Sequence, residues 1–208
     1  ARGGPLHGNR RGPGQADDAH RHRDRPEGRT RVRHGPLEPA VVFALRSSPA
    51  LLDSTDCVFF NGYGIFTSRT AEFLRPLLGE ARRRGIPVAF DPSSFTLIGG
   101  YGPRRLLAEL GPLDLLLANA EETRALCPGA DPSELSAAAR VVVVKQGADG
   151  ASAFTAAETW RAAPALAVAV DTTGAGDGFD AAYLVEYLSS GDVDAALAAG
   201  NRLGAHVA

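Results

Sequence analysis

The chain has 208 residues, 44% of them hydrophobic, which suits one globular domain of ordinary size. No apolar run approaches the roughly 18 to 20 residues of a membrane span, and two cysteines are too few for a disulfide framework. We therefore expect a cytoplasmic protein without a membrane partner. The net charge is only −2, but the charged residues are distributed unevenly.

Residues 1–39 differ in composition from the rest of the chain. They contain nine arginines against five acids, and only three large aliphatic residues among seven glycines and five prolines. Such a segment cannot build a core, so we expect a basic, low-complexity, disordered tail. Residues 40–208 contain thirteen basic residues against nineteen acids and are predicted to form the domain.

Two alternatives for the basic segment stay open. Clustered arginines gain affinity for nucleic acid by releasing counterions from phosphates. No aromatic residue lies among these arginines to stack on bases, so nucleic acid is not the expected partner. Arginine outnumbers lysine twenty-one to one across the chain, which is typical of a GC-rich coding sequence. An out-of-frame or misassigned start would therefore also yield this mixture.

From about residue 40, short apolar runs alternate with helical patterns, which indicates strand-helix-strand units around a mostly parallel sheet. The predicted fold class is therefore α/β, with helices flanking the sheet. The predicted strands are Cys57–Phe60, Pro87–Phe90, Asp114–Leu117, Val141–Val144, Ala151–Phe154 and Thr159–Ala162. The predicted helices are Thr70–Arg84, kinked at Pro76, then Pro103–Leu110, Ala120–Leu126, the apolar run Ala181–Leu188 and a last helical pattern.

Polar clusters follow three of the predicted strands. They are Asp91-Pro-Ser-Ser94, Asn119-Ala-Glu-Glu122 and Lys145-Gln-Gly-Ala-Asp-Gly150. Open α/β sheets bind ligands in the crevice beyond the carboxyl ends of their strands, so we expect a site where these clusters meet. The segment Leu166–Val170 leads into a further glycine-rich motif.

That motif is Asp171-Thr-Thr-Gly-Ala-Gly-Asp-Gly-Phe179, or DTTGAGDGF. It predicts a tight turn of Gly174, Ala175 and Gly176 at the start of the next helix, where unpaired N–H groups and the helix dipole bind anions. Asp177 would hold its carboxylate beside such an anion and accept a proton from an attacking alcohol. A bare G-x-G-D would equally fit a shaped turn followed by an acid that the helix dipole favours.

The longer string resembles the signature D-T-x-G-A-G-D-x-F of the ribokinase-like, or PfkB, carbohydrate kinases, without a gap. The resemblance covers about residues 55–208 and implies a ribokinase-like fold. It also implies ATP-dependent phosphorylation of an alcohol group on a sugar or sugar-like small molecule. By that resemblance, Asp177 is the catalytic base, while Gly174, Ala175, Gly176 and the Asp177 N–H form the anion hole.

The resemblance also implies metal sites. Asn119-Ala-Glu-Glu122 is similar to the family's N-x-x-E motif, which implies that Asn119 and Glu122 organise Mg²⁺ and its waters around the phosphates. Asp171 and Thr173 match positions that help to bind a monovalent cation beneath the anion hole in many relatives. K⁺ is the candidate for that cation.

The nucleotide site is implied in the same way. Lys145-Gln-Gly-Ala-Asp-Gly150 resembles the family's nucleotide-binding segment. This similarity implies that Lys145, the only lysine of the chain, contacts ATP phosphates, and that Gly147 and Gly150 line the nucleotide. Asn201 falls in the region that flanks the adenine in relatives.

Other positions depart from the family pattern. Asp91 resembles the acid that ends an earlier strand, but Ser93 stands where asparagine is common. The glycine-pair sugar motif and β-lid that usually precede this region are not recognisable, so the sequence does not identify the sugar. A non-catalytic, nucleotide-binding remnant or truncated member is the alternative function. A homodimer is also left open.

Overall fold

The structure is a computed structural model that describes residues 49–66, 68–129, 131–166 and 170–208. The expected tail over residues 1–39 lies outside these residues, as does the first part of the predicted domain. Most of the segment that leads into the glycine-rich motif, residues 167–169, also lies outside them.

Six strands form one sheet, and they lie side by side in chain order. They are β1 Val58–Asn61, β2 Val88–Asp91, β3 Leu113–Asn119, β4 Ala139–Lys145, β5 Ala151–Phe154 and β6 Thr159–Ala162. The first four strands are parallel to one another, whereas β5 and β6 join as antiparallel neighbours. The predicted mostly parallel α/β sheet is therefore confirmed.

Helices occupy the connections between the strands. They are α1 Gly62–Ile65, α2 Ser68–Arg83, α3 Phe95–Tyr101, α4 Pro103–Leu110, α5 Ala120–Leu126, α6 Ala175–Ser190 and α7 Val193–Val207. Short 3-10 helices cover Pro49–Leu52, Pro132–Ala137 and Gly147–Asp149. Within the described ranges, no helix is both long and apolar enough to cross a membrane.

The predicted elements are present, but several of their ends are shifted and two helices were missed. The bounds of α4, α5, β5 and β6 agree with the prediction, whereas β3 and β4 are longer than predicted. Helix α2 continues through Pro76. The missed helices are the four-residue α1 and α3, and each contains two glycines, Gly62 and Gly64 in α1 and Gly99 and Gly100 in α3. The Ser94 hydroxyl accepts a hydrogen bond from the Leu97 N–H and starts α3 as its N-cap.

The sheet is covered on both faces, and alternate residues of each central strand point to opposite faces. One face packs against α2, α3, α4 and α5 with side chains such as Phe90, Leu116 and Val142. The other face packs against α6 and α7 with side chains such as Leu115 and Val143. This double burial explains why the central strands are continuous apolar runs rather than alternating ones.

Close packing between α6 and α7 fixes the position of the glycine-rich motif. The Phe179 ring of α6 lies against Gly200 of α7, where an added Cβ would come within 2.8 Å of the ring. An added Cβ at Gly204 would lie 3.1 Å from the Ala175 carbonyl oxygen, in the first turn of α6. The small residues of α7 therefore let the start of α6 approach closely.

Tyr183 carries a buried hydroxyl that has no hydrogen-bond partner among the described residues. Its ring stacks between those of Phe179 and Tyr187, and burial raises the pKa of the hydroxyl. We expect Tyr183→Phe to raise the free energy of unfolding by about 1 kcal/mol, because it removes an unpaired polar group and keeps the ring. Urea denaturation measures this change. Tyr187→Phe, at a half-buried position in the same stack, is the control, and a loss of stability in Tyr183→Phe would show that the hydroxyl has a partner.

Candidate active site

Each of the four parallel strands ends on a polar residue. The register pairs Asn61 with Asp91 across β1 and β2, and Asn119 with Lys145 across β3 and β4. These side chains therefore lie at the same end of the sheet, where the carboxyl ends of the parallel strands meet. The sequence prediction that polar clusters converge there is confirmed by the register.

Helix α6 starts inside the segment that the sequence predicts as a turn. Gly174 is its N-cap in the left-handed region, with φ of 82°, and Ala175 is already the first helical residue. The Ala175 N–H donates to the Thr172 carbonyl over 3.1 Å, so this amide of the predicted anion hole is already bonded. The N–H groups of Gly176 and Asp177 make no hydrogen bond to any described residue. The N–H of Gly174, just before the helix, makes none either, and within the first turn of α6 two adjacent amides remain for an anion.

Asp177 lies in the first turn of α6, and its side chain is exposed. It is not buried against the apolar interior, and it makes no hydrogen bond within the part of the chain that the structure describes. Residues three apart share one face of a helix, so Asp177 lies on the same face as the buried Asp180. Its carboxylate is therefore available to a ligand beside the two unbonded amides.

The predicted magnesium residues Asn119 and Glu122 form a capping box at the start of α5. The Asn119 side-chain oxygen accepts from the N–H groups of Glu121 and Glu122, both at 2.9 Å. In return, Glu122 Oε2 accepts from the Asn119 N–H over 2.9 Å. Burial raises the pKa of Glu122, and the backbone hydrogen bond acts against this rise. The N-x-x-E pattern thus has a local structural role whatever else it binds.

Lys145 leaves the end of β4 and is held by two buried carboxylates. Its Nζ lies 2.8 Å from Asp91 Oδ2 and 2.9 and 3.0 Å from the two carboxylate oxygens of Asp180. We call Asp91, Lys145 and Asp180 the lysine cluster. The two oxygens of Asp180 lie too close together for separate N–H groups, so one N–H points between them and another donates to Asp91. The predicted contact of Lys145 with ATP phosphates stays a prediction.

The three groups of the lysine cluster shift one another's pKa values. Burial and the hydrogen bond to Asp91 raise the pKa of Asp180 to about 9. Burial also acts to raise the pKa of Asp91, but the hydrogen bond from Asp180 and the charge of Lys145 outweigh it and lower that pKa. Burial acts to lower the pKa of Lys145, and the two carboxyl groups reverse this and raise it.

Asp180 was missed by the sequence analysis. The signal was an acid directly before the apolar run Ala181–Leu188, three residues after Asp177. Its side chain is only 1% exposed, which is rare for a carboxylate without a partner. The sequence does not show which acids face Lys145, so the contact of Asp180 with this lysine becomes visible only in the folded chain.

Ser93 follows Asp91 in a left-handed conformation, with φ of 60°. Its N–H donates to Asp91 Oδ1 over 2.5 Å, which turns the chain back at the end of β2. Asparagine tolerates this conformation better than most residues. The backbone geometry therefore gives a physical reason for the asparagine that the resemblance places at this position.

Two of the predicted nucleotide residues, Gly150 and Asn201, lie beside the end of β6. Gly147 and Gly150 have φ of 59° and 86° and close the turn between β4 and β5. The Asn201 side chain donates to the carbonyl oxygens of Ala162 at 3.3 Å and Ala163 at 2.9 Å. The contact of all three residues with a nucleotide stays a prediction.

The predicted monovalent-cation residues lie in the loop before α6. Asp171 Oδ1 accepts from the Thr173 N–H over 2.9 Å, and the Asp171 N–H donates to the Ala208 carbonyl over 2.9 Å. A cleft of about 700 Å³ lies beside this loop and is lined by Asp171, Arg202 and His206, among others. Within the described ranges, no three histidine, cysteine or acidic residues are grouped as metal ligands. The cation site stays a prediction.

Comparison with known proteins matches this chain to one family. The family described as pfkB family carbohydrate kinase matches residues 50–208. An ATP-dependent ribose-1-phosphate kinase from Halopiger xanaduensis is 34% identical over 145 residues, which are 67% of this chain and 46% of the relative. An ATP-dependent 6-phosphofructokinase from Thermoanaerobacterium thermosaccharolyticum is 26% identical over 138 residues, which are 62% of this chain and 42% of the relative. The chain thus spans a little under half the length of these relatives.

The fold is also shared with solved structures. One is an E. coli protein described as ribokinase II in complex with ATP and Mg²⁺. It superposes with a TM-score of 0.68 at 24% identity, covering 76% of this chain and 53% of that chain. The predicted ribokinase-like fold is therefore confirmed.

The two turn glycines give a matched test of the loop after β4. An added Cβ at Gly150 would lie 2.2 Å from the Ala162 carbonyl oxygen. An added Cβ at Gly147 would have no neighbouring atom of the described residues within 4 Å. Both positions have positive φ, so Gly147→Ala should cost about 1 kcal/mol through backbone strain alone. We expect Gly150→Ala to cost at least about 3 kcal/mol, because the backbone must also move. Equal losses in urea denaturation would contradict the close approach.

Proposed function

The chain belongs to the pfkB family of carbohydrate kinases, and from that membership we propose that it transfers the γ-phosphoryl group of ATP to an alcohol group of a sugar or sugar-like small molecule. The observation that carries the proposal is the start of α6. Two unbonded amides, of Gly176 and Asp177, lie beside an exposed carboxylate at the carboxyl end of the sheet. This arrangement combines an anion site with a base.

In the proposed reaction, Asp177 accepts the proton of the acceptor alcohol. The alcohol oxygen forms a bond to the γ-phosphorus, the bond from that phosphorus to the bridging oxygen breaks, and ADP leaves. The amides of Gly176 and Asp177, aligned by the α6 dipole, stabilise charge on the transferring group. The transition state of such transfers is loose, so positioning and charge stabilisation contribute more than covalent chemistry does.

The proposed cofactor is Mg²⁺, and the residues present fit it. Mg²⁺ prefers oxygen ligands and keeps several of its waters. Glu122 uses Oε2 in the capping box, which leaves Oε1 for a metal-bound water, and Asn119 lies in the same turn. When bound, Mg²⁺ would neutralise phosphate charge.

The remaining predicted contacts form part of the same proposal. Gly147, Gly150 and Asn201 are the residues proposed to contact the nucleotide, near the ends of β4 and β6. A phosphate contact of Lys145 stays a prediction, which a Lys145→Met variant tests. Asp171 and Thr173 are the proposed residues for a monovalent cation, with K⁺ as the candidate. A cytoplasmic location also stays a prediction from the cysteine content.

The alternative is a nucleotide-binding protein without catalysis. This chain spans 46% and 42% of the lengths of the two curated relatives, so catalysis by the whole protein stays a proposal. The residues that select a sugar are not identified among those described here. Both functions predict nucleotide binding, but only the kinase releases ADP. Nucleotide binding and ADP release must therefore both be measured.

The role of Asp177 is tested by Asp177→Asn. We expect kcat to fall by on the order of a hundred- to ten-thousand-fold, because the base is lost. Affinity for Mg-ADP should stay within about threefold, because the α6 amides remain. Asp194→Asn is the matched control, since Asp194 is an exposed acid in the first turn of the neighbouring helix α7. Wild-type turnover in Asp177→Asn would contradict the proposed base.

The substrate class is tested by ADP release from Mg-ATP with a panel of acceptors. The panel contains ribose 1-phosphate and fructose 6-phosphate, after the names of the two curated relatives, with nucleosides and keto-deoxy sugar acids. We expect ADP release to depend on one acceptor class. Nucleotide binding by calorimetry without release for any acceptor would favour the non-catalytic alternative.

A further inference from the structure

The lysine cluster ties three separate elements together at the edge of the proposed site. Lys145 ends β4, Asp91 ends β2, and Asp180 lies in the second turn of α6. Lys145 is 54 residues from Asp91 and 35 residues from Asp180 in sequence. The Lys145 and Asp91 side chains are only 11% and 9% exposed. These contacts are therefore tertiary and largely shielded from water.

The ammonium group lies directly beneath the first turn of α6. A Cβ added to Gly176 would come within 3.7 Å of Lys145 Nζ. Gly176 supplies one of the two unbonded amides, and Asp180 lies one helical turn further on. The lysine thus supports the segment that presents the amides.

We propose that Lys145 is a positioning residue, which acts through Asp180 to hold the amides of Gly176 and Asp177 at the carboxyl end of the sheet. Asp91 completes the tether by fixing the ammonium to the end of β2. The inference rests on the proposed function only in naming phosphoryl transfer as the step that this alignment serves.

The competing role for Lys145 is direct contact with a phosphate. The ammonium already contacts Asp91 and Asp180, and the Lys145 side chain is only 11% exposed, so a phosphate contact would require the buried cluster to open. Releasing either acid would leave a buried charge without its partner, which is costly. The contacts therefore favour a tether over a ligand.

The main test compares Lys145→Met with Arg140→Met. Both replace a basic side chain on β4, but Arg140 is exposed and pairs only with Asp114 over 3.5 Å. For Lys145→Met we expect kcat to fall by on the order of a hundredfold, as for misplaced donors. The KM for ATP should change by less than about threefold, because no phosphate contact is lost. Arg140→Met should match the wild type in both.

A second readout does not depend on turnover. Hydrogen–deuterium exchange should rise over residues 174–182 in Lys145→Met and stay unchanged over residues 120–126, because the start of α6 loses its tether. Asp180→Ala should raise exchange in the same segment.

The double variant Lys145→Met/Asp180→Ala should lose no more kcat than the worse single variant, because both residues act through one contact.

Several outcomes would overturn the inference. A tenfold or greater rise in KM for ATP with unchanged exchange would identify Lys145 as a phosphate ligand. Additive losses of kcat in the double variant would show that Lys145 and Asp180 act independently, which also contradicts the tether. If Lys145→Met does not fold, Asp180→Ala decides the matter, since it leaves the pair of Lys145 and Asp91 in place, and unchanged exchange would refute the tether. If the wild type phosphorylates no acceptor, the proposed function fails, and exchange alone decides the positioning role.

Discussion

Burial of the central parallel strands β2, β3 and β4 on both faces is the constraint on which the rest of the structure depends. In β2, every residue from Val88 to Asp91 is buried, and β3 and β4 are buried nearly throughout. A polar side chain inside such a strand would lose its hydration without gaining partners. Polar groups are therefore confined to strand ends, and Asp91, Asn119 and Lys145 collect at one edge. The location of the site follows from the core.

The glycines of the α6 motif serve geometry and packing at the same time. Gly174 adopts φ of 82°, which lets the chain enter the helix with two amides unbonded. An added Cβ at Gly178 would lie 3.0 Å from the Val207 side chain, so this residue also lets α7 approach. The glycines of this signature are thus required for the turn and for the packing of α6 against α7, in addition to any role in binding. The two roles support each other, because packing against α7 fixes the turn that presents the amides.

Local capping explains much of the second motif. In Asn119-Ala-Glu-Glu122, the Asn119 and Glu122 side chains satisfy N–H groups at the start of α5, so the pattern would be stable without any metal. The same hydrogen bonds orient the Glu122 carboxylate, which is what a metal-organising residue requires. Sequence predicted these residues from resemblance alone, and the structure adds a reason for their spacing. It leaves their metal role as a proposal.

Sequence by itself determined the class of fold, the order of its strands and helices, and the glycine-rich start of α6. These features are local, because apolar period, turn residues and caps act over a few neighbouring residues. Local signals failed at α3, where Gly99 and Gly100 hide a helix that the surrounding packing stabilises. Only the tertiary structure decided the partners of Lys145. Buried charges pair with whatever acids the fold brings within reach, and Asp91 and Asp180 come from elements far apart in the chain.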